Sequence, residues 1–236
     1  MSNPYFKFKQ FTVWHDKCAM KVGTDGVLLG AWTLVESAHR ILDIGTGTGL
    51  VALMLAQRSL PDVNIVALEI DEAAVGQARE NVIRSPWKER VEVVQADFRK
   101  YRSSDKFDVI VSNPPYFVDS LECPDRQRAA ARHNDSLTYE DLLEGVSGLL
   151  AEDGFFTMVI PADVAERVKK IAYMRKLYAV RQLNVITKPG GIPKRVLITF
   201  SFSNQECIVE ELLTELARHQ YSEEYMTLTR DYYLNM

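Results

Sequence analysis

Apolar positions recur along the 236-residue chain with two periods. Seven short runs, at 40–44, 64–69, 91–96, 107–112, 154–161, 179–187 and 195–203, are rich in β-branched and aromatic residues and predict buried strands. Between them, 50–59, 72–85, 139–150 and 162–175 place apolar residues at helical spacing, as Leu50, Leu53 and Met54 do in the first. Pro86 closes the second of these helices, and Thr138 caps the third with Asp141 in its first turn. Strands alternating with helices of about this length build βαβ units, hence a mostly parallel sheet with helices on both faces. The last two strands are joined by Lys188-Pro-Gly-Gly-Ile-Pro193 without a helix, so they pair antiparallel. The expectation is a Rossmann-like α/β fold around a seven-stranded sheet whose last strand runs antiparallel. A strand at 5–11, where aromatic and polar residues alternate, precedes this core, and a helix at 208–219 with a tyrosine-rich tail follows it. The expected organisation is one domain over 1–236: an N-terminal extension (1–39), the core (40–203) and a C-terminal helix and tail (204–236).

Composition narrows the class. With 47% hydrophobic and 25% charged residues the chain reads as a soluble globular protein. No apolar run approaches the roughly 20 residues that span a bilayer, and the first residues lack the apolar segment of a signal peptide. Cys18, Cys123 and Cys207 are odd in number and far apart, which predicts neither a disulfide framework nor a metal site, and a cytoplasmic location is expected. A net charge of −4 argues against nonspecific coating of nucleic acid. The charge is unevenly spread, however. Between 161 and 203 nine basic residues face two acids, whereas between 205 and 236 seven acids face two bases. A basic stretch of this kind matters only if a polyanion reaches a nearby site.

The chemistry begins at Asp43-Ile44-Gly45-Thr46-Gly47-Thr48-Gly49, which follows one strand and opens a helix. Glu69 lies 20 residues past Gly49, at the end of the next strand, where an acid binds ribose hydroxyls in a doubly wound sheet. The spacing is Gly-x-Gly-x-Gly, unlike the dinucleotide fingerprint, and looks like the version that seats S-adenosylmethionine. A tight strand-to-helix turn that merely needs glycine is the simpler alternative. Asn113-Pro114-Pro115-Tyr116 follows the 107–112 strand. Neither proline has an N–H to give a sheet, so the turn displays its carbonyls. The Asn113 side-chain oxygen and the Pro114 carbonyl can each accept one N–H of a flat –NH₂ group, turning its lone pair outward, and Tyr116 can stack on the ring. Asp43, Glu69, Asp97 and Asn113 all fall at strand carboxyl ends, where ligands of such sheets bind.

These motifs carry a resemblance. The glycine half is similar to class I methyltransferases; by that likeness Asp97 accepts the adenine amine of the cofactor, Phe98 packs on its ring, and Asp43 lies near its methionine amino group. Asn-Pro-Pro-Tyr resembles the motif of enzymes that methylate adenine N6, guanine N2 in ribosomal RNA, or glutamine N5 in a protein. About 40 residues precede the glycine loop, too few for the helical substrate domain of the glutamine enzymes. The segments Phe8-Lys9-Gln10-Phe11 and Met20 to Trp32, the Arg-rich linker of 117–138 with Ala131-Arg132-His133, and Lys194-Arg195-Val196 closely resemble the bacterial tRNA1(Val) (adenine(37)-N6)-methyltransferase family. The resemblance implies transfer of a methyl group from S-adenosylmethionine to an adenine beside the anticodon of a valine tRNA. It further implies that the N-terminal extension folds over the cofactor, with Lys21, Thr24 and Asp25 touching it, Gly45, Gly47 and Gly49 cradling it, and Asn113 bordering it. Charge clustering nominates Lys7, Lys9, Arg126, Arg128, Arg132, Lys194 and Arg195 as phosphate contacts. Phe8, Phe11 and Trp32 are expected to be core. Methylation of another planar amine, or a noncatalytic cofactor- or RNA-binding module, are the alternatives. No metal, no membrane and a monomer are expected.

Overall fold

All seven apolar runs assigned to the sheet are strands in the computed structural model, which describes residues 3–18, 21–114, 137–218 and 220–236. A hairpin of β1 (Tyr5–Lys7) and β2 (Thr12–Trp14) comes first, then α1 (Thr24–Trp32). The core alternates β3 (Arg40–Ile44), α2 (Leu50–Arg58), β4 (Asn64–Glu69), α3 (Glu72–Ile83), β5 (Val91–Gln95) and β6 (Phe107–Ser112). After α4 (Tyr139–Leu149) come β7 (Leu150–Pro161), α5 (Ala165–Tyr173), β8 (Tyr178–Ile186) and β9 (Arg195–Ser201). The chain ends in β10 (Ile208–Leu213), a small hairpin of β11 (Glu215–Ala217) and β12 (Gln220–Tyr221), and α6 (Glu223–Thr229). Strand order in the main sheet is β10-β8-β9-β7-β6-β3-β4-β5, and β9 alone runs against its neighbours.

The strands read as continuous apolar runs because both faces of the sheet are covered. Alternate residues belong to different cores. Ile41, Val109, Val111 and Leu197 pack with α1, α2 and α3, whereas Leu42, Ile44, Ile110, Ile198 and Phe200 pack with α4 and α5. Complete burial of one such side chain contributes about 2 kcal/mol. A one-residue slip of any central strand would therefore exchange the two sets, which fixes the register.

Three expectations need correction. The sheet has eight strands, because Ile208 to Leu213 forms a strand parallel to β8 where a helix was expected. The Ile-Val-Glu-Glu-Leu-Leu pattern carries helical spacing, but β8 would otherwise present an unpaired row of N–H and C=O groups at the sheet edge. Arg181 on β8 also meets Glu210 on β10 at 3.1 Å, a pairing the ladder creates. The C-terminal segment is thus strand, hairpin and short helix. The single strand expected at 5–11 is interrupted, since Phe8 and Phe11 turn inward (1% and 5% exposed) and stack with ring centroids 4.7 Å apart. Thr24 to Trp32 is a helix that the pattern missed, because it is buried nearly all round.

N- and C-terminal segments meet on the α1/α2 side. Lys9 N–H donates to the Tyr232 carbonyl at 2.8 Å, and the Tyr232 hydroxyl reaches the Met54 carbonyl at 3.2 Å. Asn81, fully buried on α3, ties the N-terminal hairpin to the core. Its Oδ1 accepts Trp14 N–H at 2.9 Å, and its Nδ2 donates to the Trp14 and Thr48 carbonyls at 2.8 and 2.9 Å. Asn81→Ala leaves these backbone groups without their partner and is expected to cost about 3 kcal/mol in denaturant unfolding; a loss under about 1 kcal/mol would show that water replaces the amide. Among the described residues no helix is long and apolar enough to cross a membrane, and no cluster of three or more His, Cys, Asp or Glu side chains is arranged to hold a metal ion.

Candidate active site

β3 pairs with β4 on one side and β6 on the other, so chain order reverses between β3 and β6. Carboxyl ends on either side of such a reversal leave a crevice between their loops. A cavity of about 750 Å³ lies there, lined by Gly45, Gly47, Glu69, Asp97, Phe98 and Asn113, with Lys21, Thr24, Asp25 and Asp43 contributing as well. Of the expected cofactor residues only Gly49 is absent from the lining. Its loop position packs on α3, where a Cβ would lie 3.5 Å from Ala78 Cβ.

The glycine loop is shaped by backbone geometry. Gly45, Gly47 and Gly49 have φ of 72°, 55° and 82°, in the left-handed region that L side chains enter at a cost. A Cβ at Gly47 would meet no atom within 4 Å. That residue must therefore be glycine for its conformation and also leaves room for a ligand against the backbone. Glu69 holds the loop: Oε2 accepts Gly47 N–H at 2.9 Å, and Oε1 accepts Ile70 and Asp71 N–H at 2.8 and 3.0 Å.

Asp43 is 1% exposed, with Oδ2 accepting the Thr46 hydroxyl at 2.6 Å and Ala52 N–H at 3.2 Å. Burial pushes its carboxyl up to about 7, against the lowering effect of those two hydrogen bonds, and the Glu69 charge adds to the rise. The folded protein therefore keeps a proton that the unfolded chain releases near the ordinary carboxylate value. The stabilising contribution is present below that ordinary value and is lost as pH rises toward about 7. Asp43→Asn removes this dependence. In cofactor-free protein the melting temperature of the variant should gain on that of the wild type between about pH 4 and about pH 7; a constant difference across that window would contradict the buried-proton account.

Asp97 is gripped by a residue the sequence did not nominate. Arg99 Nε lies 3.0 Å from Oδ1 and Nη2 2.9 Å from Oδ2, while Arg99 N–H caps Oδ1 at 3.0 Å. This fork holds the Asp97 carboxyl below the ordinary range, so it remains an ionised acceptor in the wall of the cavity. Phe98 is buried against α4, where a Cβ on Gly145 would come within 2.5 Å of its ring. A second addition is Thr46, whose hydroxyl anchors Asp43. A capping Asp followed two residues later by Arg was a usable local signal; the Thr46 contact needed the turn geometry.

Asn113 stands at the end of β6 beside α1, with its Nδ2 3.9 Å from where a Cβ of Gly26 would lie. A Cβ on Gly30, one turn further along α1, would come within 2.7 Å of Met54 on α2. These small residues let α1 lie close over the cavity wall. Asp25 in the first turn of α1 is held by Arg195 on β9, Nε to Oδ2 at 3.0 Å. Arg195, expected to contact phosphate, is thus engaged with a residue of the cavity wall. Lys9 also has occupation of its own, donating to the Arg230 and Met236 carbonyls. Lys7 and Lys194 are exposed. Pro114, next to Asn113, is buried, whereas Pro115, Tyr116, Arg126, Arg128 and Arg132 lie outside the described residues.

The lining tests which cofactor fits. Besides Asp43, whose burial favours the protonated form, it carries four carboxylates (Asp25, Glu69, Asp71, Asp97) against two cations (Lys21, Arg99). That balance repels a pyrophosphate and attracts a ligand bearing positive charge. Glu69 also occupies the Gly47 N–H that a pyrophosphate would need. A sulfonium nucleoside with an amino-acid tail would suit this set of acceptors: Glu69 for the ribose diol, Asp97 for an adenine amine, and the acids near Asp43 for an ammonium.

Fold and site together define a class I methyltransferase, a transferase that takes its methyl group from S-adenosylmethionine. The family described as methyltransferase small domain matches residues 22–178. The chain is 77% identical over all of its length, and all of the relative's, to the tRNA1(Val) (adenine(37)-N6)-methyltransferase of Bacteroides thetaiotaomicron. It is 65% identical, again with full coverage of both chains, to the protein of the same name in Bacteroides fragilis. It therefore belongs to the tRNA1(Val) (adenine(37)-N6)-methyltransferase family. Among solved structures, a predicted O-methyltransferase of Agrobacterium tumefaciens superposes with a TM-score of 0.68 at 19% identity, covering 90% of this chain and 100% of that one, which speaks for the fold alone.

Proposed function

We propose that this enzyme methylates the exocyclic N6 amine of an adenine in the anticodon loop of a tRNA, adenine 37 of a valine tRNA. The observation that carries the reading is the position of Asn113, which borders the acidic nucleoside cleft from the end of β6. The names of the full-length relatives support the choice of substrate.

The cofactor supplies an already activated methyl group on a sulfonium. What remains for the protein is placement. An adenine amine delocalises its lone pair into the ring and attacks poorly. Asn113 Oδ1 and the Pro114 carbonyl, each accepting one N–H, turn that lone pair toward the methyl and stabilise the positive charge that develops on nitrogen. Tyr116, outside the described residues, is the candidate to stack on the base. No strong base is required, because the methylated ammonium loses its proton readily once formed. Glu69 and Asp97 would hold the nucleoside of the cofactor, and Asp25, itself fixed by Arg195, would lie toward its amino-acid end.

A loop base must leave its stack to enter such a cleft, and contacts to phosphates hold the displaced strand. Lys7 and Lys194, with Arg126, Arg128 and Arg132 of the linker, are the candidates for these contacts; Lys9 and Arg195 would have to exchange their present partners. Mass spectrometry of nucleosides from individually purified tRNAs, incubated with the protein and the cofactor, tests the reading. N6-methyladenosine at the loop position of valine tRNA is expected. Methylation confined to ribosomal RNA or to a protein would overturn it.

A further inference from the structure

The C-terminal segment folds back against the N-terminal hairpin and encloses a second cavity of about 580 Å³. Its walls include Tyr5, Phe6, Lys7, Tyr221, Tyr225 and Tyr233. Tyr225, 4% exposed, forms the base of the cluster: its ring centroid lies 5.2 Å from Tyr221 and 6.5 Å from Tyr233, and its hydroxyl is 3.4 Å from that of Tyr233. Phe6 meets Tyr233 edge-on at 5.8 Å. Buried core aromatics such as Phe156 and Phe200 have no exposed surface, but Phe6 and Tyr221 retain 36% and 37%. The cluster is built like a core at its base and is open above.

Thr24, the first residue of α1, lines both this cavity and the cofactor cleft. The first turn of α1 is thus a wall shared by the two. The chemistry of the second cavity is specific. Rings supply flat faces, tyrosine hydroxyls together with Asn3 and Asn235 supply polar groups around them, and Lys7 supplies one exposed positive charge. The Tyr225 O–H is directed to the Tyr233 hydroxyl, which ties the base of the cluster to its wall. A lipid or an apolar peptide would leave these polar groups unmatched. A nucleobase satisfies both features, because it has a π-face to stack and polar edges to hydrogen-bond, and its phosphate can meet the lysine. The volume suits a nucleotide-sized occupant.

We propose that this tyrosine-lined cavity is a second nucleobase pocket, which takes an unpaired base of the RNA substrate neighbouring the one that enters the cofactor cleft. The inference rests on the RNA-substrate reading above. It assigns part of the substrate recognition to the C-terminal segment, away from the Arg-rich linker. Only one lysine is involved, so the interaction is mainly stacking and should depend little on salt.

The test uses the full chain and an anticodon stem-loop RNA. Tyr221→Ala and Phe6→Ala are each expected to raise KM for the RNA about tenfold. Cofactor Kd should stay unchanged, and so should the slope of log affinity against log salt. Tyr221→Phe, which keeps the ring, should recover most of the lost affinity. Wild-type RNA KM in both alanine variants overturns the inference, as does a loss in Tyr221→Phe equal to that in Tyr221→Ala. A second measurement needs no variant. Stem-loops carrying 4-thiouridine at single loop positions are irradiated with the wild-type protein, and the crosslinked peptides are mapped. Crosslinks in 5–7 or 221–233 from a loop position other than the methylated one are expected; crosslinks confined to other segments overturn the proposal. If the wild-type protein methylates no tRNA, the substrate reading itself has failed. If it does and the crosslinks miss this cavity, only the inference has.

Discussion

Asn113→Ala is expected to lower kcat by on the order of a thousandfold while leaving cofactor affinity close to that of the wild type. The asymmetry follows from where the two sets of contacts lie. The groups proposed to hold the cofactor, the Glu69 and Asp97 carboxylates and the glycine loop, all stand at the carboxyl ends of β3, β4 and β5. Asn113 comes from β6, on the other side of the switch point. Removing its amide takes away an acceptor for an N–H that becomes more acidic as nitrogen acquires charge. Such an interaction is stronger in the transition state than in the ground state and is therefore lost from kcat. Ser112, whose hydroxyl bonds the Ile44 carbonyl at 3.0 Å, keeps the strand end in place in the variant. Calorimetric titration of the cofactor and single-turnover transfer of a labelled methyl group measure the two quantities separately. Near-normal transfer would sink the proposed role of the turn, and a large loss of cofactor affinity would reassign Asn113 to binding.

Glu69→Ala should act on the other side of the cleft and on stability at once. Its carboxylate accepts from the N–H groups of Gly47, Ile70 and Asp71. Without it the glycine loop loses its tie to the end of β4, and the cleft loses the carboxylate proposed to accept from the ribose. Hydrogen bonds to a charged group are worth about 1.5–3 kcal/mol each. The expected outcome is a rise in cofactor Kd of about a hundredfold together with a loss of about 2 kcal/mol in unfolding free energy. Glu69→Gln retains one acceptor oxygen and should fall between the wild type and the alanine variant. Cofactor titration and denaturant melts decide it. An unchanged Kd in Glu69→Ala would exclude the ribose assignment, even if the loop were destabilised as expected.

The parts of the fold that were legible in the sequence are those decided by local periodicity. The βαβ core emerged from the alternation of apolar runs with helical spacing, and the antiparallel β9 from a connection too short to hold a helix. The glycine loop was legible because positive φ restricts the residue type at once. The misses share a different origin. β10 became a strand because an edge elsewhere in the sheet needed a partner, a demand that no window of ten residues contains. α1 was missed because burial on every side erases the amphipathic signal. Arg195 was legible as a charge but not as the partner of Asp25, 170 positions earlier in the chain.

The sequence alone determined which residues stand at the ends of β3, β4, β5 and β6, and with them the class of cofactor and the kind of amine that accepts its methyl group. Strand positions and hydrogen-bonding chemistry follow from residue types at short spacing, and these are local properties. The tertiary structure decided which charges are already engaged, that Arg99 fixes Asp97, and that four tyrosines from the two ends of the chain meet around one cavity next to the cleft. Those relations depend on how distant segments pack in three dimensions, and pairing across such separations leaves no periodic trace in a single chain.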